Sequence, residues 1–133
     1  MNRGAFTFVL HSHLPWVLHH GRWPHGVDWL NEAPAETYLP LWRALHARAG
    51  DDRPLGITIG LSPVLCEQLA HPDFHEEFTS YLQQKIASAT EDRAFLQRTG
   101  DFALAELAQR WEQWYRLTLE DFLGAEGPNL VQR

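Results

Sequence analysis

The sequence predicts an α/β layered fold built on parallel strands, and three observations predict it. Two short segments, residues 6–10 and 55–60, are almost continuously apolar and rich in β-favouring types, as strands covered on both faces are. Helical periodicity separates them and then fills the rest of the chain. The 133 residues, 44% hydrophobic and 12% aromatic, carry enough apolar material for one core of ordinary domain size.

The first strand is Phe6-Thr7-Phe8-Val9-Leu10. Its apolar run ends at His11, too soon for the core of a secretion signal, and nowhere do the roughly 18 apolar residues of a membrane span occur together. These features predict a soluble protein with no membrane partner. The lone Cys66 has no mate for an internal disulfide and reads as a small filler on a helix, which fits a reducing cytoplasm. A net charge of -6, from 17 acidic and 11 basic residues, leaves no surplus to neutralise phosphates, so no nucleic-acid partner is expected.

Residues 15–33 mix Pro, Gly, Trp and His with no steady period and read as a long ordered loop, the kind that usually carries function. Tyr38, Trp42 and Leu45 then fall at i, i+4 and i+7, and Gly50 supplies a stop, which predicts a helix that Pro40 starts or kinks. After the second strand, Ser62-Pro63 gives an N-cap followed by proline at the first helical position. Phe74, Phe78, Leu82 and Ile86 mark the next helix. Leu104, Leu107, Trp111, Trp114, Tyr115, Thr118 and Phe122 mark one side of a long last one. Two strands cannot close a barrel, for which about 250 residues are typical, and residues 124–129 read as a turn into an element that stops almost at once. The chain therefore reads as an incomplete fold unit.

His11-Ser12-His13 follows the first strand directly, and residues i and i+2 of an extended backbone point to one side, so two imidazoles converge at the strand's carboxyl end. That is the face where β/α barrels place their active sites. The spacing alone leaves three readings open: sugar binding through imidazole hydrogen bonds, metal ligation, or a pair of hydrogen-bonded loop histidines. The loop adds Trp16, Trp23, Pro24, His25 and Trp29, and flat rings stack well on the apolar faces of pyranoses. Plugging the core is the plainer role for any single tryptophan. Trp111 and Trp114 lie on a helical period and are assigned to packing. His19, His20 and His25 could extend a metal site, but only Asp28 adds a carboxylate at a usual offset, so neither metal nor cofactor is expected. Glu32, Glu36 and Glu67 are read as stabilising helix starts.

The string HSHLPW, continued by GRWPHGVDWLNEA and AETYLPL, and then GLSPVLCEQLAHP after the second strand, resembles glycoside hydrolase family 57 enzymes of the 1,4-α-glucan branching type. Trp16 stands where the pattern has a tyrosine, which keeps an aromatic ring there. The resemblance implies the amino-terminal portion of an incomplete seven-stranded β/α barrel, two strands with surrounding helices, and makes residues 1–133 one partial catalytic domain. It also implies a retaining reaction on α-1,4-glucan in glycogen-type polysaccharide metabolism, run by two carboxylates about 5 to 5.5 Å apart. In the family the nucleophilic glutamate lies on the fourth strand and the acid/base aspartate on the seventh. No catalytic residue is therefore assigned to this chain, which is expected to be inactive alone and to partner with the remainder of its own barrel. His11 and His13 match histidines bordering the glucose site, and Trp23 and Trp29 match its aromatic loop. Two other classes remain. One is a non-catalytic glucan-binding or partner-assembled module; the other is a metal-dependent barrel hydrolase, since such barrels also begin with a strand and HxH.

Overall fold

The structure, a computed structural model, describes residues 4, 6–22, 24–48, 50, 56–124, 127 and 129–132. Its elements run β1 (Phe8–Ser12), α1 (Val27–Ala33), a π-helical segment (Pro34–Tyr38), α2 (Leu39–His46), β2 (Ile57–Leu61), α3 (Pro63–Ala70), α4 (Pro72–Thr99) and α5 (Phe102–Leu123). The strands pair in parallel, with Phe8 opposite Ile57 and Ser12 opposite Leu61. Parallel pairing, the crossover through α1 and α2, and the helices that follow agree with the α/β reading.

Three boundaries differ from expectation. β1 begins at Phe8 and ends at Ser12, so His11 lies inside the strand, because pairing with β2 rather than the apolar run sets its limits. β2 likewise runs from Ile57 to Leu61, and Leu55 lies outside the described residues. The presumed loop of residues 15–33 gives way to helix at Val27. The lack of a steady apolar period hid that helix, and two prolines follow it. Pro34 and Pro40 each lack the N–H that an α-helix needs, and the chain absorbs them with a π turn: the Leu39 N–H bonds back to the Pro34 carbonyl. Since Leu39 is so engaged and Pro40 cannot donate, the Ala35 carbonyl lacks its regular backbone donor. The Trp114 indole N–H, from α5, fills that gap at 3.3 Å.

α4 and α5 form a long hairpin. Gly100 closes α4 in the left-handed conformation at φ 82°, and the Asp101 side chain caps α5 by accepting from the Leu104 N–H at 3.2 Å. α4 extends well past Ile86. Beyond it the packing relies on small residues, with Ala89 buried on α4 and Ala105 and Ala108 on α5. At the other end, Phe78 is sandwiched by aromatics: Phe74 stacks on it at 5.4 Å and Phe122 meets it edge-on at 4.7 Å.

The core draws Leu14, Val17 and Leu18 from the segment after β1, Val27 and Leu30 from α1, Leu65 and Leu69 from α3, and the aromatics of α4 and α5. Neither strand contributes a fully buried residue; Leu61 packs against the core only in part. No described helix is long and apolar enough to cross a membrane.

Candidate functional site

The end of β1 is tied to two helices. The Ser12 hydroxyl pairs with the Tyr38 hydroxyl, presented by the last residue of the π segment. The His13 Nδ1 lies 2.9 Å from the Ser62 Oγ, and the Ser62 N–H donates to the Ser12 carbonyl at 3.1 Å. Ser62 is the N-cap of α3, as its place before Pro63 predicts, but its hydroxyl serves His13 rather than the helix's own N–H groups. His11 lies opposite Gly60, where an added Cβ would sit in ordinary contact, 3.5 Å from the His11 Nδ1. Both imidazoles are exposed at the strand's carboxyl end.

After His13 the chain dips in and out of the core. Leu14, Val17 and Leu18 are buried, while Pro15, Trp16, His19 and His20 are exposed. His19 adopts a left-handed φ of 71°, uncommon for a residue with a side chain, and its Nε2 lies 2.8 Å from the Asp73 Oδ2 on α4. Arg22 spans to α4 as well, donating to Gln84 at 3.0 Å and Glu77 at 3.2 Å, with Asp28 3.5 Å away. The turn closes where the Val27 N–H donates to the Gly21 carbonyl at 2.7 Å. Only glycine fits at position 26, since a Cβ there would approach the Gly21 carbonyl oxygen to 2.1 Å.

Trp29 is half exposed on the first turn of α1, and its ring tilts against His25 at 5.6 Å. Pro24, His25, Asp28, Trp29 and Glu32 line a recess of about 280 Å³ there. An aromatic face beside two carboxylates and an imidazole has the chemistry of a sugar subsite: the ring takes an apolar pyranose face and the polar groups take hydroxyls. None of these residues belongs to the His11-Ser12-His13 motif. Trp23 lies outside the described residues. Trp111 and Trp114 keep to α5, Trp111 stacked on Tyr115 and Trp114 beneath Arg43.

Glu32 departs from its expected role. It sits near the end of α1, not its start. With Glu36 it faces two tyrosines whose hydroxyls are raised, first by burial and then by neighbouring charge: Tyr81 on α4, well above its usual range, and Tyr115 on α5. Glu67 on α3 is exposed, whereas the adjacent Gln68 is fully buried and bonds to the loop backbone. Gln68, Tyr38 and Arg22 bond across this region, and sequence reasoning passed over them. A polar residue at a core-facing helical position is the signal that could have found Gln68. Among the described residues, no three His, Cys, Asp or Glu side chains are grouped so as to hold a metal ion.

The sequence profile of glycosyl hydrolase family 57 matches residues 7–125. The chain belongs to this family. Among family relatives, a 1,4-alpha-glucan branching enzyme of Thermococcus kodakarensis is 40% identical over 90 residues, 68% of this chain and 13% of that protein. A probable 1,4-alpha-glucan branching enzyme of Mycobacterium tuberculosis is 52% identical over 69 residues, 52% of this chain and 13% of that protein. The crystal structure of the family 57 branching enzyme from Pyrococcus horikoshii superposes with a TM-score of 0.84 at 36% identity, covering 95% of this chain and 23% of that one. The two parallel strands and their helices thus correspond to the amino-terminal portion of a β/α barrel. This family 57 chain spans only about an eighth of the length of the curated relatives that it matches.

Proposed function

We propose that this chain is part of an α-glucan-active enzyme of the 1,4-α-glucan branching type, contributing sugar-positioning groups to a barrel whose catalytic carboxylates lie on strands outside these residues. The superposition on a branching enzyme over nearly the whole chain carries this reading. His11 and His13 border the sugar next to the scissile bond at the end of β1, His13 held there by Ser62. Trp29, and Trp23 before it, offer stacking faces. In the retaining mechanism one carboxylate attacks the anomeric carbon, a second protonates the leaving oxygen, and the glycosyl group then passes to a sugar 6-hydroxyl. The chain's own groups serve that chemistry by placement and by hydrogen bonds to hydroxyls. The remainder of the barrel is the partner, α-1,4-glucan is the ligand, and the cytoplasm is the setting that a lone cysteine suits.

The test is titration of the chain with maltohexaose, followed by tryptophan fluorescence, together with NMR of amylose incubated with the chain. Saturable binding that weakens in Trp29→Ala, with no new α-1,6 linkages from the chain alone, is the expected result. Absence of any binding overturns the sugar-positioning role, and new linkages from the chain alone overturn the placement of the carboxylates elsewhere.

A further inference from the structure

Val17 and Leu18 carry their backbone into the core along with their side chains, which are 3% and 1% exposed. No strand partner serves these amides in an irregular segment, and a buried N–H left unpaired loses its hydration without return. Gln68 on α3 supplies the partner. Its Oε1 accepts from the Val17 N–H at 2.7 Å and the Leu18 N–H at 3.2 Å, while its Nε2 donates to the Pro15 carbonyl at 3.0 Å and the Val64 carbonyl at 3.3 Å. A carboxamide has two acceptor sites and two donor hydrogens, and this one, with no exposed surface, uses all four.

Three of the four bonds go to the loop, and they bracket Trp16: one holds the carbonyl before it, another the amide after it. Trp16 itself is exposed, with its ring edge-on to His71 at 6.4 Å. His19 follows, edge-on to the same imidazole at 5.8 Å and bound to Asp73. An indole face next to two imidazoles and a carboxylate suits a pyranose ring and its hydroxyls. We propose that Gln68 is a positioning residue for glucan binding, fixing the backbone at Pro15, Val17 and Leu18 so that Trp16 and His19 present a sugar-binding surface beyond the His11-Ser12-His13 motif. This rests on the α-glucan reading above.

Gln68→Glu is the informative change. It keeps the acceptor toward Val17 and Leu18 but sets a carboxylate oxygen against the Pro15 and Val64 carbonyls; protonation in acid restores one donor. Maltohexaose binding to this variant is expected to weaken at least about tenfold at pH 8, or about 1.4 kcal/mol, with the helical circular dichroism unchanged. It should recover severalfold relative to wild type by pH 5. The titratable groups on the surrounding elements are His13, His19, His71 and His75, with Asp73 and Glu67, so wild type measured across the same range is the reference. A residue that merely stabilises the fold would lower the unfolding midpoint and leave the affinity of the folded protein alone; that result, or a loss without recovery in acid, overturns the proposal. Should the variant not fold, hydrogen exchange of the wild-type Val17 and Leu18 amides decides: exchange as slow as that of α4 supports the clamp, and fast exchange overturns it. If wild type does not bind maltohexaose, the glucan reading falls and the surface proposed here falls with it. A chain that binds normally when Gln68 is changed defeats the positioning role alone.

Discussion

Phe78 on α4 and Val9 on β1 are both large apolar residues on regular elements, yet the first is fully buried and the second is 73% exposed. The difference lies in how each element satisfies its backbone. A helix closes its hydrogen bonds within itself, so α3, α4 and α5 need only one another's apolar stripes, and a loop to cover them, to complete a core. A strand leaves its hydrogen bonds to neighbours, and a parallel strand needs cover on both faces as well. Among the described residues β1 and β2 have each other, the ties of Ser12 and His13 to Tyr38 and Ser62, and an apolar recess shared with α2 that includes Ile59, Leu61 and Trp42. The helical part therefore carries its stability locally, while the sheet, where the histidines sit, leaves Phe8, Val9, Leu10 and Ile59 exposed among the described residues.

The largest effect belongs on the helical side. Phe78→Ala removes the ring between Phe74 and Phe122 and is expected to destabilise the chain by about 3 to 5 kcal/mol in urea denaturation. A cost no greater than that of a surface change would show that this cluster is not the centre of the fold. Glu112 gives a smaller effect with a pH signature. It is buried on α5, and the hydrogen bond from Arg116, aided by Arg93 at 3.1 Å, holds its carboxyl below the usual range against the opposing pull of burial. A depressed carboxyl stabilises the fold above its unfolded pKa, and that contribution disappears as pH falls through the folded value. Glu112→Gln should cost about 1 kcal/mol near neutrality, and the gap from wild type should close in acid; a gap constant with pH would rule out the ion pairs as its source. Smallest is Val9→Thr, expected to change the stability of the chain by less than about 0.5 kcal/mol because the residue is 73% exposed. A loss comparable to a core substitution would mean that the strand is covered in solution.

The same contrast explains what was legible in the sequence. Phe74, Phe78, Leu82 and Ile86 announce α4 because one face of a helix repeats in the chain itself, and Ser62-Pro63 announces the start of α3 by local chemistry. The strands were found, but their ends slipped by two residues at β1, because register is a property of the pair. α1 was missed because residues 15–33 mix Pro, Gly, Trp and His with no steady period, and the helix then continues through Pro34 by a π turn whose Ala35 carbonyl takes its donor from Trp114. At the site, the motif exposes His11 and His13, and Trp29 is visible as an aromatic. Ser62, Tyr38 and Gln68 were not, since each acts across 26 to 53 residues of sequence.

The π turn also works as a phase setter. Successive residues of an α-helix are about 100° apart around the axis, so a single surplus residue, which is what a π turn amounts to, rotates everything after it relative to everything before. Upstream of Pro34 the register is fixed by Val27 and Leu30 in the core; downstream, Arg43 must reach Asp121 and lie over the Trp114 ring. The two halves of this helix thus answer to different neighbours, and one residue reconciles their angles. Deleting Ala35 would give a more regular helix and a worse protein, with Tyr38 turned from Ser12 and Arg43 turned from α5.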